Sequence, residues 1–124
     1  KYNEPIKEEA ITYLNKMPKD YFDLIILDPP AFAKSIDARH NAIKGYKRIN
    51  SVAIEKIKHN GIIFTFSCSQ AVSPSQFEGA IMSAAIEQGR KIRILHRLTQ
   101  ATCHAPSLFH PEGYYLKGLV LLVE

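Results

Sequence analysis

Residues 22–30 read FDLIILDPP, a short apolar run that ends at Asp28 and two prolines. A nearly unbroken apolar run is typical of a parallel strand that helices cover on both faces, because such a strand loses the alternation of apolar and polar residues. Pro29 and Pro30 can neither continue the ladder of the strand nor begin a helix at once. The stretch predicts a buried parallel strand over 22–27 that places Asp28 at its carboxyl end.

Helical and strand patterns alternate along the rest of the chain. The predicted elements are a helix over 6–17, the strand over 22–27, a helix from about Ala38 to Lys58, a strand over 61–67, a helix from Pro74 to about Gln88, and strands over 91–99 and 114–123. We expect Gly61 to take the positive φ that ends the second helix. Ser73 and Gln76 form a capping box at the start of the third helix, and Gly89 ends it. The strand over 91–99 alternates, which predicts one wetter face.

This order predicts an α/β fold with a doubly wound parallel sheet. Two strands in direct succession at the end of the chain predict an antiparallel hairpin at one edge. Ligands of open sheets bind beyond the carboxyl ends of the strands, and Asp28 and Cys68 are both predicted to lie there.

Length and composition limit the classes of protein to consider. With 124 residues, 46% of them hydrophobic, the chain is one domain or part of one. It begins with Lys1, and we expect it to be cut from a longer protein. The apolar runs are too short to span a bilayer, which needs about 20 residues. Two unpaired cysteines favour a reducing cytoplasm, and the net charge of +4 suits a phosphate backbone but equally a solvated surface.

Asp28 and the residues after it are the strongest candidates for binding chemistry. The prolines hold Asp28 rigidly and leave carbonyl groups as acceptors for a polar ligand. Phe32 offers an aromatic face on which a base can stack. The alternative is that Asp-Pro-Pro ends the strand and Phe32 belongs to the core.

Cys68, in the sequence SCS, is the candidate nucleophile. A thiol needs help to ionise near neutral pH, and the hydroxyls of Ser67 and Ser69 or nearby backbone N–H groups are candidate donors to a thiolate. The alternative is a buried cysteine that packs as a small hydrophobic residue. The five histidines show no spacing suited to a metal, and the chain has no glycine-rich GxGxxG turn.

Several separate motifs, in order, resemble one enzyme family. LDPPAFAKS, GYKRIN, HNGIIFTFSCSQAVS and HPEGYYLKGLVL are similar to the C-terminal catalytic portion of the PUA-linked 23S rRNA cytosine-5 methyltransferases. The resemblance implies a partial Rossmann-like class I methyltransferase fold over residues 1–124. It also implies transfer of a methyl group from S-adenosylmethionine to carbon 5 of a cytosine in ribosomal RNA. The glycine-rich and ribose-binding motifs of the family would precede Lys1, so we expect this piece alone to be inactive.

The resemblance assigns roles to individual residues. Cys68 would add to carbon 6 of the cytosine, and Asp28 would steady the ring. The cofactor contacts would be Glu9, Ala10, Asp28 and Pro29, and the substrate contacts Pro30, Phe32, Lys34 and Tyr46. The family usually has aspartate where this chain has Glu9, and an Asp-His-Pro run where it has TCHAP at 102–106.

Two other functions stay open at this stage. Asp-Pro-Pro also occurs in methyltransferases that act on guanine, which need no cysteine nucleophile. The piece alone is also compatible with a non-catalytic RNA-binding or assembly module. Because the strand over 22–27 would be central in the whole fold, we expect it to leave a bare apolar edge here and to drive self-association, such as a homodimer.

Overall fold

The computed structural model describes residues 6, 8–30, 38–98 and 116–124. Within these residues the elements are α1 (Ala10–Lys16), β1 (Phe22–Leu27), α2 (Arg39–Lys56), β2 (Ile57–Ser67), α3 (Pro74–Gln88), β3 (Ile92–Leu98) and β4 (Lys117–Val123). Their order is the predicted one. None of the described helices combines the length and the apolar character needed to cross a bilayer.

The four described strands form one sheet in the order β1-β2-β4-β3. β1 and β2 run parallel, whereas β4 runs antiparallel to both β2 and β3. The predicted antiparallel pair at the end of the chain is confirmed, with β4 inside the sheet and β3 outermost. β1 lies at the opposite edge of the described sheet, as expected.

The hydrophobic core lies between one face of the sheet and the helices α2 and α3. Ile63 of β2 and Leu121 of β4 are fully buried on this face. Tyr46 of α2 and Phe77 of α3 meet edge to face, with ring centroids 5.5 Å apart. The helices therefore pack against each other as well as against the sheet.

The prediction that helices cover both faces of β1 is wrong for the described residues. Ile25 and Leu27 are buried, but Leu24 and Ile26 on the other face are 52% and 64% exposed. A continuous apolar run does not reveal how many of its faces the same chain covers. The alternation expected of β3 is also absent, because its residues from Arg93 to Arg97 are exposed on both faces.

Some helix boundaries lie at the predicted residues and others do not. Ser73 and Gln76 form the predicted capping box, and Gly89 ends α3 with φ of 65°. α1 begins at Ala10 rather than at residue 6, and α2 ends at Lys56. The positive φ expected at Gly61 belongs instead to Asn60, at 63°. Gly61 is needed for close packing, since a Cβ there would lie 2.9 Å from the carbonyl oxygen of Lys58.

Candidate functional site

Asp28 and Cys68 follow neighbouring parallel strands. Asp28 comes directly after β1 and Cys68 directly after β2. Leu27 pairs with Thr65 in the register of these strands, so both residues lie beyond the same edge of the sheet. This is the edge where open α/β sheets bind ligands. The structure therefore brings the two predicted catalytic residues to one end of the fold.

A cavity of about 540 Å³ opens beside Asp28 and is the centre of the candidate site. It lies between the start of α1, the end of β1 and the middle of α2. Its lining comprises Glu9, Ala10, Ile11, Ile26, Leu27, Asp28, Pro29, Pro30 and Ile49. All four predicted cofactor contacts line it, together with Pro30 from the predicted substrate contacts.

The lining of this cavity is mixed in a way that suits an aromatic heterocycle. Ile11, Ile26 and Ile49 supply apolar surface for a ring, and the carboxylates of Glu9 and Asp28 are hydrogen-bond acceptors. The cavity can thus hold a flat group that carries amino or hydroxyl donors.

Cys68 directly follows β2, just before the turn at residues 70–71, and is partly buried. Its neighbours Ser67 and Ser69 are fully buried. The backbone N–H of Ser69 donates to the hydroxyl oxygen of Ser67, with a nitrogen-to-oxygen distance of 3.3 Å. This N–H, one of the expected donors to the thiolate, is therefore engaged with Ser67.

Lys117, which was not among the predicted site residues, reaches this turn from β4. Its Nζ donates to the carbonyl oxygen of Ser69 at 2.8 Å. Burial lowers the pKa of the Lys117 ammonium, and the charge of Cys68 acts in the opposite direction. The sequence signal for it was a single lysine at the start of the last apolar strand.

The remaining predicted contacts do not all reach the site. Tyr46 is fully buried in the core against Phe77, so it does not present a surface to a substrate. It lies on the buried side of α2, where its ring contacts a residue of the neighbouring helix α3. Phe32 and Lys34 lie outside the described residues, as do Cys103 and the loop histidines His104 and His110.

A larger cavity of about 790 Å³ lies elsewhere, between α3 and β3. Met82, Ile86 and Ile94 supply exposed apolar surface there. It shares no residue with the cavity beside Asp28, and it includes neither Asp28 nor Cys68. Among the described residues, no three histidine, cysteine or acidic side chains gather as a metal site would require.

Known proteins share this sequence and fold. Over 100 residues the chain is 45% identical to ribosomal RNA large subunit methyltransferase I from Tolumonas auensis, a match that covers 81% of this chain and 25% of the relative. SMU.776, described as a methyltransferase complexed with SAH, gives a TM-score of 0.71 at 22% identity over 93% of this chain and 30% of that one. A SAM-dependent methyltransferase from Streptococcus mutans gives 0.68 at 23% identity over 90% and 28%. No family model matches the chain.

The structural matches confirm the predicted fold class. The chain has the α/β fold of part of the class I S-adenosylmethionine-dependent methyltransferases. It spans about a quarter of the length of the curated relative from Tolumonas auensis.

Proposed function

We propose that the protein containing this chain transfers a methyl group from S-adenosylmethionine to carbon 5 of a cytosine in large-subunit ribosomal RNA. The observation that carries the proposal is the position of Asp28 and Cys68, which follow two neighbouring parallel strands at one edge of the sheet. Similarity to ribosomal RNA large subunit methyltransferase I supports the class of reaction and the RNA substrate.

The cavity beside Asp28 fits part of S-adenosylmethionine, whose sulfonium supplies an electrophilic methyl group when the cofactor is bound. The adenosine part of S-adenosylmethionine has an aromatic ring and several hydrogen-bond donors. The ring matches the apolar walls of the cavity, and the donors match the carboxylates of Glu9 and Asp28. Glu9, Ala10, Asp28 and Pro29 would hold this part. We assign the remaining cofactor contacts to a longer chain, so the 124-residue piece alone is proposed to be inactive.

Cys68 is proposed to act as the nucleophile on the target base. Its thiolate adds to carbon 6 of cytosine, and the electron density that this addition places on carbon 5 lets that carbon take the methyl group. Loss of the carbon 5 proton then expels the Cys68 sulfur and restores the aromatic ring. Asp28 accepts a hydrogen bond from the nitrogen edge of the cytosine and steadies the ring during both steps.

Ribosomal RNA is the proposed partner, and the cytoplasm the proposed location. The net charge of +4 has the sign that attracts a phosphate backbone. Pro30, Phe32 and Lys34 continue the chain from Asp28, so we propose that they contact the RNA near the target base. Tyr46 is left out because it is buried.

The test compares methyl transfer to large-subunit RNA by the full-length protein and its Cys68→Ala and Cys103→Ala variants. We expect Cys68→Ala to lower the rate more than about a thousandfold, because the nucleophile is lost. Cys103→Ala is the matched control and should keep the rate. Retained transfer by Cys68→Ala, with methylguanine as the product, would instead support direct transfer to guanine. RNA binding that weakens steeply with salt, without any transfer, would support a binding module.

A further inference from the structure

Lys117 is held beside Cys68 by the topology of the sheet. It is the first residue of β4, and it pairs with Ser67, the last residue of β2. Because β4 runs antiparallel to β2, the start of β4 meets the end of β2 at the edge that carries the candidate site. The backbone register thus places Lys117 next to the residue that precedes Cys68.

The side chain of Lys117 extends past Cys68 to the residue that follows it. Its Nζ donates to the carbonyl oxygen of Ser69 at 2.8 Å, an oxygen that also accepts the N–H of Val72 at 3.3 Å. Ser67, which pairs with Lys117, and Ser69, which accepts its hydrogen bond, are both fully buried, and this burial restricts their movement. The ammonium is therefore fixed on one side of Cys68.

The charges of Lys117 and Cys68 influence each other. Burial lowers the pKa of Lys117, and the negative charge of Cys68 opposes this effect. An ammonium held beside a cysteine favours the charged form of that cysteine, because opposite charges attract. Among the described residues, other charged groups also belong to this end of the sheet. Asp28 follows β1, the Nε of Arg39 donates to the carbonyl oxygen of Ala71 at 2.8 Å, and Arg97 near the end of β3 forms an ion pair with Glu78. Lys117 differs from them because its side chain donates to a residue adjacent to Cys68.

We propose that Lys117 is a positioning residue for Cys68, whose fixed ammonium favours the thiolate before the cytosine arrives. The inference rests on the proposed function, because it supplies the help that a cysteine nucleophile needs near neutral pH. Lys117 does not touch the base in this account. It acts through Cys68, and its effect is measurable without RNA or cofactor.

The experiment follows alkylation of Cys68 by iodoacetamide in the 124-residue chain, from about pH 6 to about pH 9.5. Peptide mass spectrometry separates Cys68 from Cys103. Lys117→Gln removes the charge but keeps a donor for the Ser69 carbonyl, Lys117→Arg keeps the charge, and Lys91→Met is the control. Lys91 is exposed next to β3, whose start lies at the opposite end of the sheet.

We expect Lys117→Gln to slow alkylation of Cys68 about fivefold near pH 7, because an adjacent positive charge favours the thiolate. The difference should disappear at the highest pH, where the thiol ionises without help. Lys117→Arg and Lys91→Met should stay close to the unsubstituted chain. Unfolding would expose Cys68 and speed its alkylation, so a folding defect cannot imitate the expected result.

A second measurement needs no variant. Salt screens exposed or partly exposed charges, so alkylation of Cys68 in the unsubstituted chain should slow near pH 7 as salt is added. Equal rates for Lys117→Gln and the unsubstituted chain, or no response to salt, would overturn the role of Lys117. Cys68→Ala would still abolish methyl transfer in that case. Conversely, failure of the proposed function would leave the alkylation difference in place, so the two failures are distinguishable.

Discussion

Gly61 of β2 lies where the backbone packs closely against the start of β2 and against β1. A Cβ at this position would come inside contact distance of Ile57 Cγ1 and would lie 2.9 Å and 3.1 Å from the carbonyl oxygens of Lys58 and Asp23. The backbone atoms cannot move away without disturbing the pairing of β1 with β2. Gly61 is therefore required by close approach and not by its φ.

We predict that Gly61→Ala lowers the free energy of unfolding by about 1 to 3 kcal/mol, because the added methyl group overpacks this junction. The matched control is Gly79→Ala in α3, where an added Cβ meets nothing within 4 Å. That change should raise the stability by up to about 1 kcal/mol, since alanine favours a helix over glycine. Urea denaturation of both variants measures the difference, and equal effects would contradict the account of Gly61.

Single residues also mark the limits of prediction from sequence. Asp28 and Cys68 were predictable because each follows an apolar strand, and parallel strands end at the same edge. Lys117 was not predictable, because its position depends on β4 pairing antiparallel with β2. Tyr46 was assigned to substrate binding by resemblance, but the packing of α2 buries it. A sequence motif does not show whether a residue on a helix faces the core or a substrate.

Arg90 connects the end of α2 to the last residues of the chain. Its Nη1 donates to the carbonyl oxygens of Ile54 and Ile57, both at 2.6 Å, and its Nε donates to that of Glu124 at 3.1 Å. The last carbonyl oxygens of a helix find no N–H donor within the helix, so a side-chain donor can satisfy them. Arg90 fills this role at the junction of α2 and β2.

We expect Arg90→Met to lower the free energy of unfolding by about 1.5 to 3 kcal/mol, the range for hydrogen bonds from a charged donor. Arg48→Met is the control, because Arg48 is exposed on α2. It should change stability by less than about 0.5 kcal/mol. Thermal and urea unfolding of the two variants test this, and similar losses for both would show that the junction does not depend on Arg90.

Elements whose ends carry local signals were predicted well. The capping box at Ser73 and the left-handed Gly89 mark the predicted ends of α3, because these signals act within one turn of the backbone. The start of α1 and the exposure of β1 and β3 were not predictable in the same way. They depend on which other surfaces pack against each element, and that information is not local.

Among the described residues, β1 exposes apolar side chains on one face of the sheet. Among the described strands, β1 lies at an edge of the sheet and pairs with β2 on one side, and Leu24 and Ile26 of β1 are exposed. Edge strands of this kind pair readily with another chain. We propose that the 124-residue chain self-associates through β1.

Size-exclusion chromatography with light scattering, at several concentrations, tests this proposal. We predict a dimer whose share rises with concentration, and Leu24→Lys should shift it toward monomer because a charge on the exposed face opposes burial. Ile86→Lys is the matched control, since Ile86 is 74% exposed on α3, away from this edge. A monomer at every concentration would contradict self-association, and a larger effect of Ile86→Lys would move the contact to the helices.

The central claim is that Cys68 forms a covalent bond with carbon 6 of cytosine. The most direct measurement uses the full-length protein, S-adenosylmethionine and large-subunit RNA that contains 5-fluorocytidine. Fluorine replaces the carbon 5 proton whose loss would release the enzyme, so the bond to Cys68 should persist. We predict a methylated fluorocytosine nucleotide attached to the peptide that carries Cys68, and none with Cys68→Ala. Methylated RNA without this adduct, or an adduct on another residue, would contradict it.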